Sequence, residues 1–134
     1  MLVRPVILGL LTIIFLSSPS YASKEAHFKK SELWKITYYC ACQKCCGKSD
    51  GITAHNKKAN PNHTIALNWL PFGTRVLIDG KPYVVEDRGV ESRFGTYYHR
   101  KGPKKQIKHI DIFVSSHSEA INLGTKWLPV EVIR

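Results

Sequence analysis

Thr74-Arg75-Val76-Leu77-Ile78-Asp79-Gly80-Lys81-Pro82-Tyr83-Val84-Val85-Glu86-Asp87-Arg88-Gly89 sets two apolar runs on either side of Asp79-Gly80. Asp-Gly tolerates the two positive φ angles of a type I′ turn, so the stretch predicts a tight β-hairpin. The second run ends in charge, at Glu86-Asp87-Arg88-Gly89. An acid at a strand end, just before a glycine, suits chemistry and equally suits a solvated turn. The rest of the chain has to decide between them.

Working outward, residues 33–39 alternate. Trp34, Ile36 and Tyr38 fall on one face, Lys35 and Thr37 on the other, which is the period of a strand. Residues 64–67 form a short apolar run, Ile110-Asp111-Ile112-Phe113-Val114 a strand with one carboxylate set in it, and residues 127–133 a last alternating strand. Ser116 with Glu119 three residues on makes a capping box for one short helix, which Gly124 would stop. Between these lie the polar loop 55–63, the apolar turn Trp69-Leu70-Pro71-Phe72-Gly73 and a long basic loop from Gly89 to Lys108 that carries Tyr97 and Tyr98. Those tyrosines can stack on sugar rings or cover a core edge. About six strands and one short helix, with connections too short for repeated βαβ units, predict a mainly β domain closed into a small barrel.

The N-terminus reads as a targeting signal. Arg4 precedes an apolar run from Val6 to Leu16, and Ser20-Tyr21-Ala22 offers small residues for cleavage after Ala22. The run is short for a membrane span. The expected organisation is a signal peptide over 1–22, a polar disordered lead-in over 23–32 and one domain over 33–134. Export to the periplasm, cell wall or extracellular space follows, with no stable membrane span after cleavage and a monomeric product. The formal net charge is +10, of which the signal segment carries only Arg4. A basic exported domain suits an anionic polymer or surface. No nucleic-acid motif accompanies the charge, and nucleic acid is not expected as a partner.

All four cysteines, Cys40, Cys42, Cys45 and Cys46, lie in one short segment. Export favours disulfides. Cys45 and Cys46 are adjacent, so each is expected to pair with Cys40 or Cys42, in one of two connectivities. The competing reading is a four-thiolate zinc site, whose ligand pairs are more crowded here than in the usual knuckle. The expected assignment is disulfide, with no metal and no cofactor. The histidines, His27, His55, His63, His99, His109 and His117, form no recognisable ligand motif. Clustered cysteines in an exported chain argue against a catalytic thiolate, and neither a phosphate-binding glycine loop nor a serine elbow is present.

Two acids remain, Asp87 and Asp111. Burial disfavours the charged form of a carboxyl, and Asp111 sits among Ile110, Ile112 and Phe113. That is the environment of a general acid at neutral pH. In the period-two pattern, however, Asp111 lies opposite its apolar neighbours, on a face that could simply meet solvent.

The motifs Tyr39-Cys40, Cys45-Cys46-Gly47-Lys48-Ser49-Asp50-Gly51-Ile52-Thr53-Ala54, Leu70-Pro71-Phe72-Gly73-Thr74, Val84-Val85-Glu86-Asp87-Arg88-Gly89, Ile110-Asp111-Ile112-Phe113 and Ser116-His117-Ser118-Glu119-Ala120 occur in that order. Together they resemble the three-aspartate (3D) domain, a family similar to the catalytic domain of membrane-bound lytic transglycosylase A. The resemblance spans about residues 34–133. It implies a six-stranded double-psi β-barrel and cleavage of peptidoglycan glycan strands between N-acetylmuramic acid and N-acetylglucosamine. It carries the catalytic acid onto Asp111, a second catalytic aspartate onto Asp87 and a cleft threonine onto Thr53. Arg88 and Asn68 join Thr53 as expected substrate-binding residues. The chain departs from the family twice: Asn68 stands where a third aspartate is usual, and the segment from Val90 to Lys108 replaces a short glycine-rich loop. These departures leave two alternatives beside the enzyme, a non-catalytic glycan-binding barrel of expansin or rare-lipoprotein-A type and a cysteine-stapled structural or metal module.

Overall fold

The computed structural model describes residues 32–97 and 106–133. The expected signal peptide, nearly all of the lead-in, and Tyr98 and His99 lie outside them. Glu32, expected in the lead-in, is already the first residue of a strand.

The elements run β1 (Glu32–Tyr39), α1 (Gln43–Cys46), β2 (Thr64–Ala66), β3 (Arg75–Ile78), β4 (Lys81–Asp87), α2 (Glu91–Phe94), β5 (His109–Phe113), α3 (His117–Leu123) and β6 (Lys126–Ile133). The described residues are mainly β, and the six strands among them close in the order β1-β5-β2-β4-β3-β6. Among the described residues no helix is long and apolar enough to cross a membrane.

The Asp79-Gly80 turn forms as its composition dictates. Asp79 has φ 49° and Gly80 φ 75°, both positive as a type I′ turn requires. Ile78 then pairs with Lys81 and Val76 with Tyr83. Two parallel contacts complicate the otherwise antiparallel sheet: β1 lies parallel to β5, and β2 parallel to β4. The alternating apolar residues meet inside the closed sheet. Trp34, Ile36, Ile65, Leu67, Val76, Ile78, Tyr83, Val85, Ile110, Ile112 and Val130 belong to one buried cluster. Each fully buried aliphatic side chain in such a cluster contributes about 1.5–3 kcal/mol relative to exposure.

Three short helices occur among the described residues, where one was expected. α3 follows its sequence signals: Ser116 Oγ accepts the Glu119 N–H, and Gly124 closes the helix at φ 64°. The reciprocal half of the capping box is displaced by one residue, since the Glu119 carboxylate accepts from Ser115 N at 3.0 Å. α1 and α2 are single turns inside segments whose composition reads as loop. Their hydrogen bonds are closed by a cysteine cap and by tertiary packing, not by helix propensity.

The outer face of β1, β5 and β2 carries a second layer. Tyr39, Ala66 and Phe113 pack together there, with the rings of Tyr39 and Phe113 edge to face at 5.3 Å. On the other side, Phe94 of α2 stacks on His109 at 4.4 Å. These two aromatic pairs flank Asp111.

Candidate functional site

The site begins with register. Ala66 is the partner of Asp111 across the antiparallel β2–β5 contact and of Asp87 across the parallel β2–β4 contact. The two acids therefore occupy one row across three strands, with the smallest side chain of that row between them. Strands are spaced about 4.8 Å apart, so two carboxylates in this row are separated by about two strand spacings at the backbone.

A bulge delivers Asp87 to that row. Between Ile65 and Ala66 the β2–β4 register shifts, so that Ile65 partners Val85 while Ala66 partners Asp87. The extra residue on β4 breaks the alternation. Glu86 and Asp87, consecutive in sequence, consequently both find partners outside the barrel. Glu86 accepts from the Thr64 hydroxyl at 2.7 Å and meets Lys57 Nζ at 3.2 Å. Burial acts to raise the Glu86 carboxyl, but the Thr64 and Lys57 bonds outweigh it and hold it below the ordinary range. Asp87 accepts from Tyr39 Oη at 2.6 Å through Oδ2, and from Ala54 N and Arg88 N at 2.9 Å each through Oδ1. Burial, followed by the charge of Asp87, raises the Tyr39 phenol well above its ordinary value, so Tyr39 serves Asp87 as a donor throughout the physiological range.

Asp111 lies on the outer face, opposite Ile110 and Ile112, as the period-two pattern predicts. That face is partly covered, with the Phe94–His109 and Tyr39–Phe113 pairs to either side of Asp111, which is half-buried. Burial is the main cause that pushes the Asp111 carboxyl up to about 6. The Thr37 hydrogen bond and the Arg93 charge pull it down, and Asp87 pushes it up. Thr37 is the register partner of Asp111 on β1, and its hydroxyl lies 2.9 Å from Asp111 Oδ1 and 2.8 Å from His109 Nε2.

These contacts form a directed chain. His109 Nδ1 faces the Arg93 carbonyl at 3.1 Å. A carbonyl only accepts, so Nδ1 carries the proton and Nε2 of the neutral ring is an acceptor. Burial, ahead of the neighbouring cations, holds the imidazole below its ordinary value and so favours the neutral ring. The single Thr37 proton can satisfy Nε2 or a carboxylate, not both. When it goes to Nε2, the hydroxyl oxygen is free to accept from a protonated Asp111. His109, which the sequence reading assigned no role, thereby bears on the proton of Asp111.

The expected substrate-binding residues divide. Thr53 is buried and lines a small hollow with Tyr39, Asp87, Phe113 and Ile52; its Oγ1 accepts the Lys57 N–H at 3.3 Å. Asn68 is fully buried. Its Nδ2 donates to the Gly89 and Gly95 carbonyls and its Oδ1 accepts the Gly89 N–H, all at 2.8 Å. The amide clamps the start of the basic segment. Arg88 is likewise spent on its own fold. Its guanidinium donates to the Leu67 carbonyl and to the Leu70 carbonyl at 3.0 Å, and lies 3.7 Å from the centroid of the Phe72 ring.

The cysteines are free thiols. The shortest sulfur pair with a hydrogen-bond contact, Cys40 with Cys45, is separated by 3.6 Å, against about 2.05 Å for a disulfide. The expected disulfide is absent because the turn of α1 presents Cys45 toward Cys40 without closing the bond, and directs exposed Cys46 to the Lys48 carbonyl at 3.1 Å. Of the long basic segment, α2, the Gly95–Gln106 bridge and half-exposed Tyr97 are described. Neither models of known protein families nor curated proteins matched the chain.

Proposed function

We propose that this domain is an exported enzyme that cleaves peptidoglycan glycan strands by acid–base catalysis, with Asp111 as the proton-transferring group, on a barrel of the double-psi type. The observation that carries the reading is the state of Asp111: a half-buried carboxyl on the outer face, raised to about 6, and joined through Thr37 to a neutral histidine. A carboxyl so placed holds its proton into the range where a general acid is needed. The closed sheet with its two parallel contacts, β1–β5 and β2–β4, supports the double-psi path. The ordered motifs that resemble the 3D family supply the substrate class.

In the proposed reaction, protonated Asp111 donates to the glycosidic oxygen that leaves with N-acetylglucosamine. The C6 hydroxyl of N-acetylmuramic acid attacks the anomeric carbon and returns a proton to the Asp111 carboxylate. A 1,6-anhydro end forms, with no water consumed. Asp87 stands two strands away in the same row. Its three donors fix its orientation toward the hollow, where it lends negative charge to the developing oxocarbenium. A water in place of the C6 hydroxyl would give hydrolysis by two separated carboxyls.

The test is mass spectrometry of purified peptidoglycan after incubation with the chain, wild type beside Asp111→Asn. Anhydro-muropeptides from the wild type and none from the variant are expected. Reducing ends without anhydro sugars would move the mechanism to hydrolysis. The second reading, a glycan-binding barrel without catalysis, is favoured by the commitment of Arg88 and Asn68 to the fold. It would be established by protein that pellets with the wall and releases no product.

A further inference from the structure

The segment that closes β1 gathers three sulfurs and a nitrogen. Cys40, just beyond the end of β1, is buried against Val114 and Ala120. Cys42 is the N-cap of α1, and its Sγ accepts the Cys45 N–H at 3.4 Å. The single turn of α1 carries Cys45 back toward Cys40, to an Sγ–Sγ distance of 3.6 Å. From the far side α3 contributes its first residue: His117 Nδ1 lies 3.3 Å from Cys45 Sγ and 3.7 Å from Cys42 Sγ. The four atoms all lie within 4.8 Å of one another.

The spacing discriminates between two kinds of bond. A disulfide needs sulfurs at about 2.05 Å. Zinc with Zn–S near 2.3 Å and Zn–N near 2.0–2.1 Å, in a tetrahedron, sets S···S at about 3.8 Å and S···N at about 3.6 Å. The observed distances, 3.3 to 3.7 Å, sit at the second set. The sequence agrees. Cys42-Gln43-Lys44-Cys45 has the two-residue spacing of a ligand pair, and the Cys45 N–H on Cys42 Sγ is the kind of outer bond that orients a thiolate ligand. Crowding argued against four thiolates from one loop. A histidine from a distant helix removes the crowding, because only three ligands then come from the loop and Cys46 is left out.

We propose that Cys40, Cys42, Cys45 and His117 bind one Zn²⁺ in a closed tetrahedral site. Three cysteine thiols release their protons to solvent on binding, and His117 coordinates as the neutral ring through Nδ1. All four positions are filled by protein, so the site is structural rather than catalytic. It joins the end of β1 to the start of α3.

Metal analysis of the chain purified under reducing conditions tests the assignment. One zinc per chain is expected, and replacement by Co²⁺ is expected to give intense visible bands of a tetrahedral thiolate site. Cys46→Ser is expected to keep both. His117→Ala is expected to weaken zinc at least about tenfold. A chelator is expected to lower the melting temperature of the wild type, a readout that needs no variant to fold. Protein that folds free of zinc and gives Co²⁺ no tetrahedral spectrum would overturn the proposal. So would a Cys40–Cys45 or Cys42–Cys45 disulfide in protein recovered from an oxidising compartment, or loss of the metal in Cys46→Ser with retention in His117→Ala.

Discussion

Asn68 takes both backbone polar groups of Gly89: its Oδ1 accepts the Gly89 N–H and its Nδ2 donates to the Gly89 carbonyl, each at 2.8 Å. The same Nδ2 also reaches the Gly95 carbonyl. One side chain thus ties the end of the hairpin to the end of α2. The assignment of its amide follows from this geometry, since only the nitrogen can meet two carbonyls.

Asn68→Asp therefore restores the acid usual in the resembling family and is expected to weaken this protein. A carboxylate would face two carbonyls with no proton to give, in a fully buried place. The expected loss is about 1–3 kcal/mol of unfolding free energy at neutral pH, measured by urea denaturation. Unchanged stability would show that the clamp contributes nothing.

Asp111→Asn is expected to abolish cleavage and to stabilise the fold. The folded-state carboxyl is raised from 3.8 to about 6. Its contribution is most favourable below 3.8, declines as pH rises between those values, and is least favourable above the upper one. The asparagine does not ionise, so its advantage over wild type should be about 1–3 kcal/mol above that window and absent below it. Melting temperatures across the pH range read this directly.

His109→Phe keeps the stack on Phe94 and removes the Nε2 acceptor. The Thr37 proton is then undivided and bonds the Asp111 carboxylate, which favours the charged form. The falling limb of the pH–rate profile is expected to move down by roughly half a unit to one unit. A purely structural role for His109 would lower the rate without moving the limb.

Gly89→Ala tests the packing of α2. A Cβ at Gly89 would stand 2.2 Å from Phe94 Cδ2, so the ring must leave its place over His109. The expected cost is about 1–3 kcal/mol. Combination with Phe94→Ala should recover part of it, which a double-mutant cycle measures as coupling.

Periodicity and turn chemistry made the barrel legible. Alternation in β1 and β5, the Asp79-Gly80 turn and the Ser116 cap each carry their signal within a few residues. The row that holds Asp87 and Asp111 could be anticipated only as one acid at a strand end and another within a strand. Their common neighbour Ala66 is a property of register between strands distant in sequence, which no local pattern encodes. The bonds of Asn68 and Arg88 to backbone carbonyls were not legible, because a polar residue beside a motif looks the same whether it faces a cleft or satisfies the backbone. His109 was overlooked because its partners, Thr37 and the Arg93 carbonyl, lie on other elements. His117 stood inside a quoted motif, but the sulfurs it meets come from the other end of the chain.

The bulge on β4 makes the length of that strand a parity bit. Substitutions along residues 81–87 change what each side chain is, but not which way it points. Removing a single residue between Tyr83 and Glu86 would cancel the register shift between Ile65 and Ala66 and restore strict alternation. Asp87 would keep its place beside Ala66, but Glu86 would turn inward beside Ile65 in the position that Val85 fills, away from Thr64 and Lys57, where a carboxylate has no donor to meet. The strand should therefore accept a wide range of sequences at fixed length and no deletion of Val84 or Val85.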